Sequence, residues 1–269
     1  VLPTSGFNNS FKPKPHRGVV SLRRQAAACC SNHGISMSAQ NAMPSSKIIV
    51  VLFGFPIIST LFSLILLNRS VFSWTGLDFF TAFWLVITFW YVVQIAILAK
   101  ILKSSGWCWS DIGYSFNRRR TAYFVAGYML FAVALLGFVE FSLANVGTDP
   151  EKLKSLSDLA NLTPKSLTQR LVFIFMGLAA GLCEELVYRG FAIRAMKSRG
   201  MNQWLASLVA AIPFVFQHGL KSLDHFWWFF IWAVVFGAIF ITSKRLYINI
   251  ILHWLVILSA VFAILQTLS

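Results

Sequence analysis

Glu184 and Glu185 are adjacent carboxylates near the middle of an apolar stretch that runs from Leu171 to Met196. One ionised carboxylate at the centre of a membrane-spanning helix costs about 2.5–3.5 kcal/mol on insertion scales, so two in one turn imply a use. Arg189 follows Glu185 by four residues. On a helix these two lie one above the other and can pair, which offsets part of the cost of burying both. Glu184, rotated by about 100° from its neighbour, is left outside that pair and is a candidate general base.

Two histidines extend the constellation. His218 closes the run Phe214-Val-Phe-Gln-His218, and His253 lies in the last apolar stretch. A single histidine in a helix bundle more often bonds a backbone carbonyl than serves catalysis; two of them with a glutamate pair, on nearby spans, favour chemistry. Depth permits convergence. At 1.5 Å per residue, Glu184 lies about 20 Å along its helix and His253 about 8 Å inside the last one, against a bilayer core near 30 Å. Two His and one Glu (Glu184, His218 and His253) also match a catalytic zinc ligand set, so zinc is the one cofactor to consider.

The elements that must position these residues are transmembrane helices. Apolar residues make up 57% of the 269-residue chain and charged residues 12%, with a mean hydropathy of +0.70, which is the composition of a multi-pass membrane protein. The fold class expected is all-α, a transmembrane helix bundle of about seven to eight helices with the site on core helices. Apolar segments fall at residues 48–67, 79–98, 123–143, 171–196, 204–217, 227–242 and 248–268. The fifth and sixth are short for a full crossing, which suggests tilted, re-entrant or internally packed helices. Asp78 is placed to cap the second segment. Gln94 and Gln217 read as interhelical hydrogen-bond partners, and Gly177, Ala180 and Gly181 as a close helix contact.

Residues 1–46 are rich in Ser, Ala, Asn, Pro and Arg and lack Asp and Glu. They read as a disordered tail or targeting segment, followed by one membrane domain at 47–269. The net charge of +14 does not indicate nucleic acid, because the basic residues sit in short clusters between apolar stretches. Lys47, then Lys100, Lys103 and Arg118 to Arg120, then Lys197 and Arg199, then Lys244 and Arg245 occupy alternate connections. Those connections face the cytoplasm or its equivalent, giving an inside N-terminus and an outside C-terminus. A bacterial plasma membrane is favoured, with a plastid membrane as the alternative. Cys29, Cys30, Cys108 and Cys183 form no CxxC and no zinc-ligand spacing.

Taken in order, E-E-x-x-x-R at Glu184 to Arg189, F-x-x-x-H at Phe214 to His218 and a later intramembrane histidine at His253 resemble the CPBP family of intramembrane metalloproteases, which includes the type II CAAX prenyl endopeptidases (ABI domain). The resemblance covers about 168–268. It implies a peptidase in which Glu184 activates a water held with His218, His253 stabilises the oxyanion, and Glu185 and Arg189 support the helix. The family commonly carries an Asn four residues after the last histidine; here that position is Ile257, which cannot donate a hydrogen bond. Asn249, one turn before His253, is the residue that could supply the amide instead.

The leading reading is therefore an intramembrane endopeptidase acting on membrane-associated, in one version prenylated, proteins or peptides, with Glu184, Glu185, His218 and His253 as catalytic residues and Arg189, Phe214 and Asn249 in support. Its partners are the lipid bilayer and that substrate. The alternatives are a catalytically silent scaffold or immunity factor, supported by Ile257, and a small proton-coupled carrier. Against the carrier, no internal repeat or paired Gly/Pro-broken spans are found.

Overall fold

The computed structural model describes residues 42–66, 68–114 and 166–268, together with isolated positions between 126 and 164. Their regular secondary structure is all helix, with no strand among the described residues. The helices are α1 (Ser45–Ile65), α2 (Phe79–Ser104), α3 (Leu167–Ser198), α4 (Gln203–Gln217), α5 (Phe226–Ser243) and α6 (Leu246–Leu268). The tail at 1–41 and the segment at 123–143, apart from isolated positions, lie outside the described residues. Among the described residues four helices are long and apolar enough to cross a membrane, and the chain is an integral membrane protein. One of them is the sixth apolar segment: a 3₁₀ turn at Leu220–His225 runs into α5, so Ser222–Ser243 provides 22 residues where the hydropathy pattern suggested a short span. The fifth, α4, remains short and carries Pro213 within it.

The helix starts follow local chemistry. Asp78 caps α2 by accepting from the Thr81 amide at 3.0 Å and the Thr81 hydroxyl at 2.6 Å. Ser166 and Gln169 form a capping box at the start of α3, each satisfying a backbone N–H that the helix leaves unpaired. Gln169 Nε2 also donates to Asp78 Oδ1 at 2.9 Å, which ties the starts of α2 and α3 together. Asn202 caps α4 through the Trp204 amide.

Small residues set how closely the helices approach. A Cβ on Gly181 would lie 2.6 Å from the Trp254 ring, and one on Gly177 would lie 3.3 Å from Ile257, so α3 and α6 meet across these two glycines. At Gly237 a Cβ would collide with Ser207, which places α4 against α5. Polar pairs join other helices: Trp90 to Ser59 at 2.7 Å between α2 and α1, and Tyr188 to Gln217 at 3.0 Å between α3 and α4.

The connections alternate between two ends of the bundle. At one end Lys47 Nζ donates to Ser104 and Ser105, the Met43 amide donates to Ser198, Arg199 donates to the Met43 carbonyl, and the Leu246 amide donates to the Gly113 carbonyl. Met43 and Pro44, which the composition assigns to the tail, thus begin the packed body, with Met43 fully buried. The other end holds the Asn68 to Asp78 connection, Ser166 and the Gly219 turn. Gly219 has φ +81°, and a Cβ there would strike Ser63, so both backbone and space demand glycine.

Asp78→Ala is expected to destabilise the protein by about 1 kcal/mol, the usual worth of a helix N-cap, read by denaturant unfolding in detergent. Partial burial pushes the Asp78 carboxyl up, but the hydrogen bonds from Thr81 and Gln169 outweigh it and hold the group below its ordinary 3.8. The difference between wild type and variant is therefore present above the unfolded value and disappears as pH falls through the lowered folded one.

Candidate active site

α3 is not α-helical throughout. From Glu185 to Ala192 it is a π-helix, a geometry that is rare and frequent at functional sites where it does occur. A second π segment, Val50–Gly54 in α1, packs against it. The sequence offers no sign of either, because π geometry depends on what the helix packs against. Within the π segment Glu185 still reaches Arg189, with Arg189 Nη1 3.2 Å from Glu185 Oε1. Both are buried. The Arg189 guanidinium lies 4.2 Å from the centre of the Phe214 ring and 5.4 Å from that of Phe236, so two aromatic faces stabilise the cation where water cannot.

Three of the four expected catalytic residues converge on one carboxylate oxygen. Glu184 Oε2 lies 3.7 Å from His218 Nε2 and 3.7 Å from His253 Nε2. The fourth, Glu185, stands behind His253 and bonds its Nδ1 at 2.9 Å. His218 Nδ1 bonds the Phe214 carbonyl at 3.0 Å. Both Nδ1 partners are acceptors, so each imidazole carries a proton on Nδ1, and in a neutral ring Nε2 keeps its lone pair toward Glu184. The rings are held by aromatic contact: His218 against Phe229 at 4.3 Å, and His253 stacked on Phe236 at 5.5 Å. Phe214 meets Tyr188, His218 and His253 edge-on while carrying Arg189 on its face.

The other oxygen of Glu184 has a partner that the motifs do not contain. Tyr91, from α2, donates its hydroxyl to Glu184 Oε1 at 2.6 Å. A sequence signal was available, since Tyr91 and Gln94 lie three apart in the apolar middle of α2, residues 89–99, and mark a polar stripe turned inward. Gln94 faces Cys183, whose thiol lies 3.7 Å from Gln94 Oε1. Asn249 differs from the sequence expectation. Its amide nitrogen donates to the Phe236 carbonyl at 2.6 Å, and it is absent from the lining of the cavity below Glu184. Position 249 precedes His253 by one turn, toward the buried end of α6, and that places its amide behind the site.

The charge count of the cluster is unbalanced. Two carboxylates face one guanidinium, and Glu184 Oε2 is buried with no hydrogen-bond partner. With both rings neutral, two imidazole lone pairs and that oxygen form a set of acceptors suited to a proton, which would make one ring an imidazolium, to the hydrogens of a water, or to a metal cation. Among the described residues no group of three His, Cys, Asp or Glu has the spacing to hold a metal ion as it stands. The donor chemistry nonetheless fits zinc, because each histidine donates its second ring N–H to a carbonyl or carboxylate, as metal-bound histidines do. Glu184, His218 and His253 line a cavity of about 340 Å³ whose walls are mainly aromatic and aliphatic, with Ile257 among them.

Residues 166–259, which carry all of these groups except Tyr91 and Gln94, match the family model described as Type II CAAX prenyl endopeptidase Rce1-like. This segment, about a third of the chain, is similar to that family. A curated relative, the UPF0177 protein YvdC of Lactococcus lactis, is 26% identical over 127 residues, covering 47% of this chain and 46% of that protein. The chain thus spans about half the length of the curated relative it matches. No solved structure matches it. α1 and α2 lie outside the matched segment, so the Tyr91 bond to Glu184 joins that segment to a part of the chain that the family model leaves out.

Arg189→Leu is expected to destabilise the protein by about 3–5 kcal/mol, because it leaves Glu185 buried without its cation. Thermal unfolding of the purified variant in detergent checks this, and an unchanged midpoint would refute it.

Proposed function

We propose that the protein is an intramembrane endopeptidase that hydrolyses a peptide bond of a membrane-associated protein or peptide, prenylated or not, with a water activated by Glu184. The observation that carries this reading is the convergence of Glu184 Oε2 with both His Nε2 atoms at the head of an apolar cavity. The match to a peptidase family over 166–259 supports it.

In this reading Tyr91 fixes Glu184 through Oε1, which leaves Oε2 to take a proton from the water. His218 Nε2 accepts the water's other hydrogen and so orients its lone pair toward the scissile carbonyl. His253 acts as an imidazolium, donating Nδ1–H to Glu185 and Nε2–H to the developing oxyanion, and its charge balances the second carboxylate. Glu184 then returns its proton to the leaving amine. Arg189 keeps Glu185 compensated throughout. If zinc is bound, Glu184, His218 and His253 would hold it, and it would polarise the carbonyl as a Lewis acid.

In this arrangement His253 is the side-chain oxyanion donor. Ile257 lines the cavity on the face of α6 that bears His253, and Asn249 is committed to Phe236. This favours a second reading, a scaffold that binds a partner through the same cavity without cleaving it.

The deciding experiment is cleavage of prenylated and unprenylated membrane-anchored peptides by purified protein in lipid. Glu184→Gln is expected to reduce turnover at least 10³-fold at unchanged thermal stability, and turnover close to wild type would exclude Glu184 as the base. No cleavage by either protein, with an intact cellular phenotype for Glu184→Gln, would favour the scaffold. Restoring an amide donor with Ile257→Asn is expected to raise kcat, by up to about 10²-fold, given what one oxyanion donor contributes; the same peptides under saturating conditions measure it.

A further inference from the structure

The cavity has an open end and a sealed end, and the two ends of the bundle differ in charge. Side-chain exposure rises from 1% at Glu184 to 9% at His253 and 24% at His218. Beyond His218 the lining continues to Ser63 in the last turns of α1, and to Phe83 and Phe173 in the second turns of α2 and α3. All of these lie toward the end that holds the Asn68 to Asp78 connection and the Gly219 turn. In the other direction the way is filled. Arg189, Tyr188, Phe191, Phe240, Leu246 and Ile112 are each at most 2% exposed and occupy the space between Glu184 and the end where Gly113 meets Leu246.

The sealed end is the basic one. Lys47, Lys103, Lys197, Arg199, Lys244 and Arg245 gather there, and Asp111 is the acidic residue among the described residues of that end. At the open end Arg69, Arg170 and Lys221 are offset by Asp78 and Asp224, and Trp74, Trp227 and Trp228 stand exposed as interfacial aromatics do. The excess of Lys and Arg places the sealed end on the cytoplasmic side, or its organellar equivalent. We infer that the Glu184 site is entered from the opposite, non-cytoplasmic face, so that its substrate is a membrane-anchored peptide presented from that side, with its apolar anchor against Phe83, Trp84 and Phe173. The word substrate rests on the endopeptidase reading; the side of entry does not.

Single cysteines at Lys197→Cys (basic end), Trp74→Cys (opposite connection) and Ser63→Cys (cavity wall) separate the two. The full chain is expressed in a bacterial membrane, and sealed right-side-out and inverted vesicles are treated with a charged, membrane-impermeant methanethiosulfonate; labelling of the parental chain is subtracted. Ser63→Cys is close to isosteric and is expected to leave the fold intact. Lys197→Cys is expected to label at least 10-fold more in inverted vesicles, and Trp74→Cys and Ser63→Cys at least 10-fold more in right-side-out ones. Labelling of Ser63→Cys from the Lys197 side, or from neither side, would overturn the inference, as would an outward-facing Lys197→Cys. Cleavage is then followed with peptide supplied to each vesicle type, Glu184→Gln serving as the blank, and is expected only in right-side-out vesicles. Absence of Glu184-dependent cleavage in detergent, where both ends are accessible, would overturn the endopeptidase reading and leave the side of entry to the labelling.

Discussion

Burial of two adjacent carboxylates in an apolar bundle is the constraint on which the rest of this structure depends. Both are removed from bulk solvent, so each must find partners inside, and the partners come from different helices. Glu185 takes Arg189 from its own helix and His253 from α6; Glu184 takes Tyr91 from α2 and faces His218 at the end of α4. The polar network thus clamps four helices at one level. Such a network is most stabilising when its members are satisfied; Glu184 Oε2, Glu185 Oε2 and the Arg189 terminal nitrogens have no hydrogen-bond partner, and of these only Glu184 belongs to the cavity lining.

The surrounding packing serves this clamp. Gly177 and Gly181 bring α3 against Ile257 and Trp254, which sets His253 beside the glutamates. With no hydrophobic force between helices in lipid, close contact of small residues is what holds such an interface. Phe214 acts as the hub of the site, touching both histidines and carrying the guanidinium on its face. The F-x-x-x-H spacing is explained by this: on α4 it puts the ring and the imidazole on one side, and lets the Phe214 carbonyl accept from His218 Nδ1. The two ends of the bundle then differ in kind, one closed by packed core and ringed by lysine and arginine, the other open around His218.

Much of this was legible in the chain itself. The apolar segments at 79–98, 171–196, 204–217 and 248–268 each lie within a described helix, and Asp78 caps α2 as its position suggested. Of the basic connections that the charge pattern marked, those at Lys47, at Lys100 and Lys103, at Lys197 and Arg199, and at Lys244 and Arg245 lie at one end, while Arg118 to Arg120 lie outside the described residues. Where the reading fell short, the cause was non-local. The sixth segment looked short because hydropathy drops at Asp224 and His225, yet the 3₁₀ turn there continues into α5. Asn249 looked available as a donor because residues one turn apart share a helix face, but its amide is taken by the Phe236 carbonyl of α5, which helix periodicity cannot reveal.

The sequence by itself determined that this is a membrane helix bundle and that Glu184, Glu185, Arg189, His218 and His253 must be accounted for, because the cost of burying charge in lipid is read residue by residue. Only the tertiary structure decided how they are shared out: which oxygen of Glu184 is bound by Tyr91, which ring nitrogens remain free, and which end of the cavity is open. Those outcomes depend on contacts between helices far apart in the chain and on a π segment at Glu185–Ala192, and neither leaves a periodic trace in the residues that form it.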